Sequence, residues 1–215
     1  MLTTRQIERY SRQIITLGFG STAQERMLAA DVVVAGKLDD VDPVLPYLVG
    51  AGAARVRLDS NSNEPTIASL QSRFKDLNPD VEFAFANQIG EGCDLVLAIA
   101  SDETTAQRVA DLAKRYYAAA LIYARLDAIS AIAVIPSRPP CLGCADSELM
   151  APLTRPCSTP GLPTMIAGLE AIKLLAGIAP AEARLIEFDG YAAVSRVLHQ
   201  RTGTLSCECP RVMSK

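Results

Sequence analysis

Short apolar runs alternate with amphipathic stretches along most of the chain. The run at residues 32–35 contains four consecutive apolar residues, which is typical of a strand buried on both faces. Further strands are predicted at 55–58, 81–85, 94–98 and 121–124. Apolar residues at helical spacing predict helices from Asp42-Pro43 to Gly50 or Gly52, at 66–77 and at 104–117. This regular alternation indicates a parallel, doubly wound sheet.

Both ends of the chain depart from that alternation. Two helices are predicted before the first strand: one at 5–17, after a capping box of Thr3 and Gln6, and a short one that begins at a cap of Ser21 with Gln24 and ends near Ala30. After the fifth strand, residues 128–135 form a strand without a preceding helix, which suggests an antiparallel extension. A Pro- and Cys-rich loop, a helix and two more strands are predicted at 136–163, 164–176, 184–188 and 192–198. The predicted fold class is therefore α/β, a Rossmann-like and mostly parallel sheet with a C-terminal antiparallel extension.

The sequence contains no internal repeat and no linker-like segment, so a single domain over residues 1–215 is predicted. It would comprise N-terminal helices at 1–30, a nucleotide-fold core at 31–125, and a Cys-rich loop with C-terminal strands at 126–215.

Composition narrows the possible partners and compartments. The net charge is −3 and no basic patch is present, so a nucleic-acid partner has no electrostatic support. No apolar run approaches the ~20 residues of a membrane span, and the first residues are polar, so neither a signal nor an anchor is expected. Six cysteines without an export signal point to the reducing cytoplasm, where close-spaced cysteines are metal ligands or reactive thiols.

The turn after the first strand is the phosphate site of a doubly wound sheet. Here residues 36–42 read Gly-Lys-Leu-Asp-Asp-Val-Asp, so only the first glycine, Gly36, is present. Side chains at Leu38 and Asp39 would fill the space of a phosphate, and the carboxylates would repel it. This turn is interpreted as a solvated loop; the alternative is a Mg²⁺ ion bridged by Asp39 or Asp40.

Several motifs in order along the chain carry a family resemblance. They are Arg9–Ile15, Leu77–Val81, Asp94–Leu97 leading to Ser101-Asp102, Cys141–Cys144 and Gly168–Leu175. Together they resemble the ThiF/MoeB/HesA family, the bacterial branch of the ubiquitin-activating superfamily. The resemblance implies adenylation, with ATP and Mg²⁺, of the C-terminal glycine of a small ubiquitin-like or sulfur-carrier protein. It also implies a dimer in which an arginine of the first helix reaches the neighbouring subunit's ATP.

The resemblance assigns few ligand-binding positions. Arg12 matches the phosphate-contacting arginine, Asp102 the aspartate that works with Mg²⁺ and the adenylate, and Asp59 the ribose-binding acid if a one-residue gap is allowed. The stretch at 60–66 contains no arginine or lysine, although the family has both after the second strand. With only Gly36 left in the phosphate turn, ATP and Mg²⁺ binding are in doubt and the chain is interpreted as a degenerate member.

The cysteines offer a second kind of chemistry. Cys141 and Cys144 have the spacing of two thiolates on one Zn²⁺ ion. The resemblance implies a second pair near the C-terminus, for which Cys207 and Cys209 are the candidates, giving a structural zinc site. The competing interpretation is a redox or sulfur-handling set of thiols.

Cys157 precedes a predicted helix and matches a family cysteine used in thioester or persulfide chemistry. Arg155 and the helix N-terminus would lower the pKa of its thiol; the alternative is a loop cysteine without a role. Cys93 is interpreted as a small core residue and His199, the single histidine, as a surface residue.

Three functions remain open. The leading hypothesis is a non-adenylating protein that binds a ubiquitin-like or sulfur-carrier protein ending in Gly-Gly, or pairs with an active relative as a homo- or heterodimer. The second is an active adenylyltransferase or sulfurtransferase with an unconventional phosphate site. The third is a zinc-stabilised interaction module.

Overall fold

All strands that the structure describes lie in one sheet. The computed structural model describes residues 1–60, 64–86, 92–108, 117–135, 157, 160–179, 184–192 and 194–199. The strands are β1 Asp31–Ala35, β2 Arg55–Asp59, β3 Glu82–Phe85, β4 Gly92–Ala100, β5 Tyr117–Arg125, β6 Ile129–Ile135, β7 Arg184–Asp189 and β8 Val194–His199. Their order in the sheet is β3-β2-β1-β4-β5-β6-β7-β8. The pairs from β3 to β5 are parallel and those from β5 to β8 antiparallel, which confirms the predicted fold class.

Helices cover both faces of the parallel part of the sheet. They are α1 Thr4–Ile14, α2 Gly20–Met27, α3 Leu38–Val41, α4 Leu45–Ala51, α5 Glu64–Leu77, α6 at 103–108 and α7 Gly161–Leu175. The side chains of Val32 and Val34 face a large core shared with α2, α4, α5 and α7. Val33 and Ala35 face the opposite side, where Ala106 of α6 packs. β1 is thus buried on both faces, as its unbroken apolar run predicts. No helix within the described ranges has the length and apolar character needed to cross a membrane.

The segment after β1 differs from the prediction. A helix from Asp42-Pro43 is wrong, because α3 ends at Val41 and α4 begins at Leu45. Asp42 follows the last residue of α3, and its carboxylate accepts a hydrogen bond from Arg73 at 2.8 Å instead of capping a helix. Burial decides this outcome, since α3 places the fully buried side chain of Val41 in the core.

Other boundaries shift by a few residues. The capping box of α1 is present, with Thr3 and Gln6 each accepting from the other's backbone N–H. Ser21 does not cap α2, since that helix already begins at Gly20. α7 begins at Gly161, before the predicted start at residue 164. β5 begins at Tyr117, although residue 117 was predicted to end a helix.

A buried polar contact fixes α1 to the rest of the fold. Tyr10 is 1% exposed, and its hydroxyl accepts a hydrogen bond at 2.9 Å from the side-chain amide of Asn78. The same amide donates to the carbonyl of Val49 at 2.8 Å. Gly52, with φ 87°, leaves room for the tyrosine, because a Cβ there would lie 2.7 Å from the Tyr10 hydroxyl. α1 therefore packs where α4 and α5 lead into β2 and β3, at the amino-terminal edge of the sheet.

We expect Asn78→Ala to lower the free energy of unfolding by about 1–3 kcal/mol, because the Val49 carbonyl loses one of its two N–H donors, and the Tyr10 hydroxyl and the Asp80 N–H lose their Asn78 partner. Urea denaturation followed by circular dichroism measures the change. Tyr10→Phe should cost less, because it removes one hydrogen bond and leaves the amide paired with Val49. Equal stability of Asn78→Ala and the unsubstituted chain would contradict this account of how α1 is held.

Candidate functional site

A cleft opens at the carboxyl ends of β1, β2 and β4. β1 lies between β2 and β4, where the strand order reverses, and ligands of open α/β sheets bind outside the strand ends at such a point. The cleft has a volume of about 380 Å³. It is lined by Gly36, Lys37, Leu38, Ser60, Asp102, Thr104, Thr105 and Arg108.

The floor of the cleft is the junction of β1 and α3. Gly36 leaves no room for a side chain, because a Cβ there would lie 2.6 Å from Cγ1 of Val41 and 2.7 Å from the carbonyl oxygen of Ile99. Leu38 is half-buried against the core, and Val41 is fully buried in it. The interpretation of residues 36–42 as a solvated loop is therefore wrong: the turn is a short helix held by the core. The predicted cofactor-binding residue Gly36 has a packing role that explains its presence.

Asp102 connects the two walls of the cleft. Its carboxylate forms an ion pair with Lys37, and it accepts a hydrogen bond from the backbone N–H of Thr105 at 2.7 Å. The bond from Lys37, followed by that from Thr105, lowers the pKa of the Asp102 carboxyl. Asp102 therefore caps α6, and its carboxylate is the counter-charge of Lys37, a cation in the turn after β1.

Asp40 faces the same region from α3. The Ser101 hydroxyl donates to its carboxylate at 2.5 Å. Burial raises the pKa of the Asp40 carboxyl, and the bond from Ser101 and the charge of Lys37 only partly counter that effect. Asp39 points to solvent. Within the described ranges, no group of three or more His, Cys, Asp or Glu side chains is arranged to hold a metal ion. The Mg²⁺ ion bridged by Asp39 or Asp40 stays a prediction.

Arg108 is a cleft residue that the sequence analysis missed. Its guanidinium donates to the Asp59 carboxylate at 2.5 Å and to the Gly36 carbonyl at 3.1 Å. Both side chains are largely shielded, with 26% exposure for Arg108 and 21% for Asp59. The sequence offered one signal for this role: Arg108 lies in the second turn of the helix that follows β4, and that helix borders the cleft.

Two predicted catalytic residues lie outside the cleft. Arg12 is exposed on α1, which packs at the opposite edge of the sheet. Cys157 is half-buried against the core, with the Ser130 hydroxyl 3.5 Å from its sulfur. Ser130 lies in β6, three strands from β1 at the same edge as the cleft. The structure therefore brings Gly36, Asp59 and Asp102 together, but neither Arg12 nor Cys157 joins them within this chain.

Of the remaining cysteines, the structure describes Cys93. The Cys93 side chain packs against the smaller core, and burial raises the pKa of its thiol to about 12. This placement agrees with its interpretation as a small core residue. The predicted zinc ligands Cys141, Cys144, Cys207 and Cys209 lie outside the described residues. His199 is the last residue of β8.

Comparisons with known proteins indicate which family this chain is similar to. No protein-family model matches the chain. Protein HesA, vegetative, of Trichormus variabilis is 35% identical over 99 residues, which span 38% of this chain and 37% of that protein. The sulfur carrier protein ThiS adenylyltransferase of Escherichia coli K12 is 27% identical over 236 residues, with 93% of this chain and 94% of that protein covered. These similarities support the ThiF/MoeB/HesA family.

Solved structures show the same fold. The crystal structure of E. coli MccB with AMPCPP and MccA aligns with a TM-score of 0.67 at 14% identity. The alignment covers 96% of this chain and 74% of the MccB chain. The mixed sheet, parallel at first and antiparallel toward the C-terminus, is therefore an architecture shared with MccB.

We expect Asp102→Ala to lower the free energy of unfolding by about 0.5–2 kcal/mol, because α6 loses its N-cap. Asp102→Asn should cost less, since an asparagine oxygen can still accept from the Thr105 N–H. Thermal unfolding of the two variants measures the difference. Equal losses would show that the ion pair with Lys37, and not the cap, stabilises this wall.

The raised pKa of Asp40 gives a pH dependence with a defined sign. The folded protein holds this proton more tightly than the unfolded chain, so the stabilisation is present below the ordinary pKa of 3.8 and is lost as the pH rises through the folded value. Asp40→Asn, which stays neutral, should therefore be more stable than the unsubstituted chain at neutral pH, and the difference should shrink toward pH 3.8.

Denaturation curves recorded across this range test the expectation. Asp39→Asn is the matched control: its side chain is exposed, so its effect should stay within about 0.5 kcal/mol at every pH. A lower stability of Asp40→Asn at neutral pH would contradict the argument.

Proposed function

We propose that this chain is a degenerate ThiF/MoeB/HesA-family protein that binds a ubiquitin-like sulfur-carrier protein without adenylating it. The observation that carries the proposal is α3, which stands where a nucleotide-binding sheet has its phosphate turn. In that turn, glycines let backbone N–H groups approach the anion. Here Leu38 and Val41 use the same stretch of chain to fill the core.

The charges of the cleft support the same conclusion. Its two described cations are already paired, Lys37 with Asp102 and Arg108 with Asp59. Asp40 adds a further carboxyl on the α3 side. A carboxylate about 5 Å from a phosphate charge, at an effective dielectric of about 20, raises the free energy of binding by roughly 3 kcal/mol. A triphosphate would have to compete with Asp102 for Lys37 and with Asp59 for Arg108.

The relatives supply the class of partner. One of them is named for the adenylation of the sulfur carrier ThiS, and the MccB structure holds MccA together with AMPCPP. We propose that this chain keeps the carrier-binding role on the shared fold while lacking the nucleotide chemistry. A family relative that is itself active could supply the adenylation, with the two chains forming a heterodimer.

The cysteine assignments complete the proposal. Cys141, Cys144, Cys207 and Cys209 would hold a structural Zn²⁺ ion, for which a four-thiolate set is well suited. Cys157 would act as the thiol of a sulfur- or carrier-handling step. Its Ser130 neighbour can donate to a sulfur acceptor at the observed 3.5 Å.

Isothermal titration calorimetry with ATP and Mg²⁺ tests the loss of nucleotide binding. We expect no binding at micromolar or submillimolar nucleotide, because the described cations of the cleft are already paired and Asp40 adds a carboxyl beside them. The E. coli ThiS adenylyltransferase serves as the positive control under identical conditions. Micromolar affinity for ATP in this chain would sink the proposal.

A second measurement separates the proposal from an active adenylyltransferase. With a ThiS-type carrier ending in Gly-Gly, we expect a complex by size-exclusion chromatography but no exchange of radiolabelled pyrophosphate into ATP. Carrier-dependent exchange would instead establish the unconventional active enzyme. Absence of any complex with the carrier would contradict the carrier-binding role.

A further inference from the structure

The guanidinium of Arg108 donates hydrogen bonds to acceptors at the carboxyl ends of two neighbouring strands, β1 and β2. Arg108 comes from α6 and reaches across the cleft to Asp59, the last residue of β2, at 2.5 Å. Its second terminal nitrogen donates to the carbonyl of Gly36, directly after β1, at 3.1 Å. A planar guanidinium has fixed donor directions, so two such contacts hold it in one orientation.

The carboxylate that Arg108 binds is that of Asp59, which stands where nucleotide-binding sheets recognise the ribose. In doubly wound sheets an acidic side chain downstream of the phosphate turn accepts hydrogen bonds from a ribose hydroxyl. Asp59 has the required position, at the carboxyl end of β2 and beside the switch point. Its carboxylate is directed to Arg108 instead, in a setting where each partner exposes about a quarter of its side chain or less.

A ribose hydroxyl is a poor competitor for this carboxylate. Hydrogen bonds with an ionised donor or acceptor are about twice as strong as neutral ones, and the contact between Arg108 and Asp59 also joins opposite charges. A sugar that displaced Arg108 would replace this ion pair with a bond that is ionised on the acceptor side alone, and it would leave a largely shielded guanidinium without its carboxylate. It would also have to enter the space that the guanidinium occupies between β1 and β2.

We infer that Arg108 is a specificity-determining residue that excludes ribose from the cleft by holding Asp59 and the Gly36 carbonyl. This inference rests on the proposed function, in which the cleft does not bind a nucleotide. It adds a second barrier to nucleotide binding, directed against the ribose. Asp40 and the Lys37–Asp102 pair disfavour phosphates at the end of β1, and Arg108 excludes the sugar at the end of β2. The two barriers are separable by experiment.

Adenosine is the probe that isolates the second barrier, because it carries the ribose without any phosphate. We expect Arg108→Ala to raise the affinity for adenosine by about tenfold or more over the unsubstituted chain, the scale of a hydrogen bond to a charged acceptor. Chemical-shift titration by NMR measures such weak binding. If Arg108→Ala does not fold, Arg108→Met keeps the aliphatic stem and removes the donors.

Three controls separate ribose recognition from a widened cavity. 2′,3′-Dideoxyadenosine should show no gain, because it lacks the hydroxyls that Asp59 would accept. Asp59→Asn in the Arg108→Ala background should remove most of the gain with adenosine. Arg73→Ala is the matched arginine control, since it breaks an exposed pair with Asp42 outside the residues that line the cleft; adenosine affinity should stay unchanged.

An unchanged affinity for adenosine in folded Arg108→Ala would overturn the inference, as would an equal gain for the dideoxy analogue. Neither result touches the proposed function, which fails only if the unsubstituted chain binds ATP, catalyses exchange or does not bind the carrier. Conversely, a gain in adenosine affinity with no binding of ATP and Mg²⁺ would show both barriers acting independently.

Discussion

The close approach of Gly36 to the backbone of β4 is the constraint on which the cleft depends. With the Ile99 carbonyl and Val41 both within 3 Å of where a Cβ would stand, the chain leaves β1 in a fixed direction. α3 then begins at once and directs its apolar side chains to the core. The same departure brings Lys37 to Asp102 and Asp40 to Ser101. One packing contact thus sets both the shape of the cleft and the positions of its charges.

The described charged groups of the cleft are paired with one another. A phosphate-binding turn presents unpaired N–H groups and cations whose orientation is set before the ligand arrives. In this cleft the described cations lie in contact with carboxylates of the same chain, and Asp102 caps α6. The polar groups therefore stabilise one another, and ion pairs connect opposite sides of the cleft.

Local patterns in the sequence predicted the sheet well: β1 and β4 contain continuous apolar runs, and β2 alternates charged with apolar residues. They also predicted the capping box at Thr3, which needs only two residues three positions apart. The Asp42-Pro43 signal failed because burial of Val41 outweighs a local capping preference. The contact between Arg108 and Asp59 was not predictable, since 49 residues separate them in sequence and only the folded sheet brings β2 and α6 together. The cysteine pairs depend on segments outside the described residues.

The stretch after β1 both lines the cleft and fills the core, which limits the substitutions that it tolerates. α3 packs against α7. Gly168 of α7 lies close to Val44, the residue before α4, since a Cβ at Gly168 would lie 2.1 Å from Cγ2 of Val44. A glycine in place of Leu38 or Val41 would remove an apolar side chain from this packed region, so reshaping the cleft at those positions would also lower the stability of the fold.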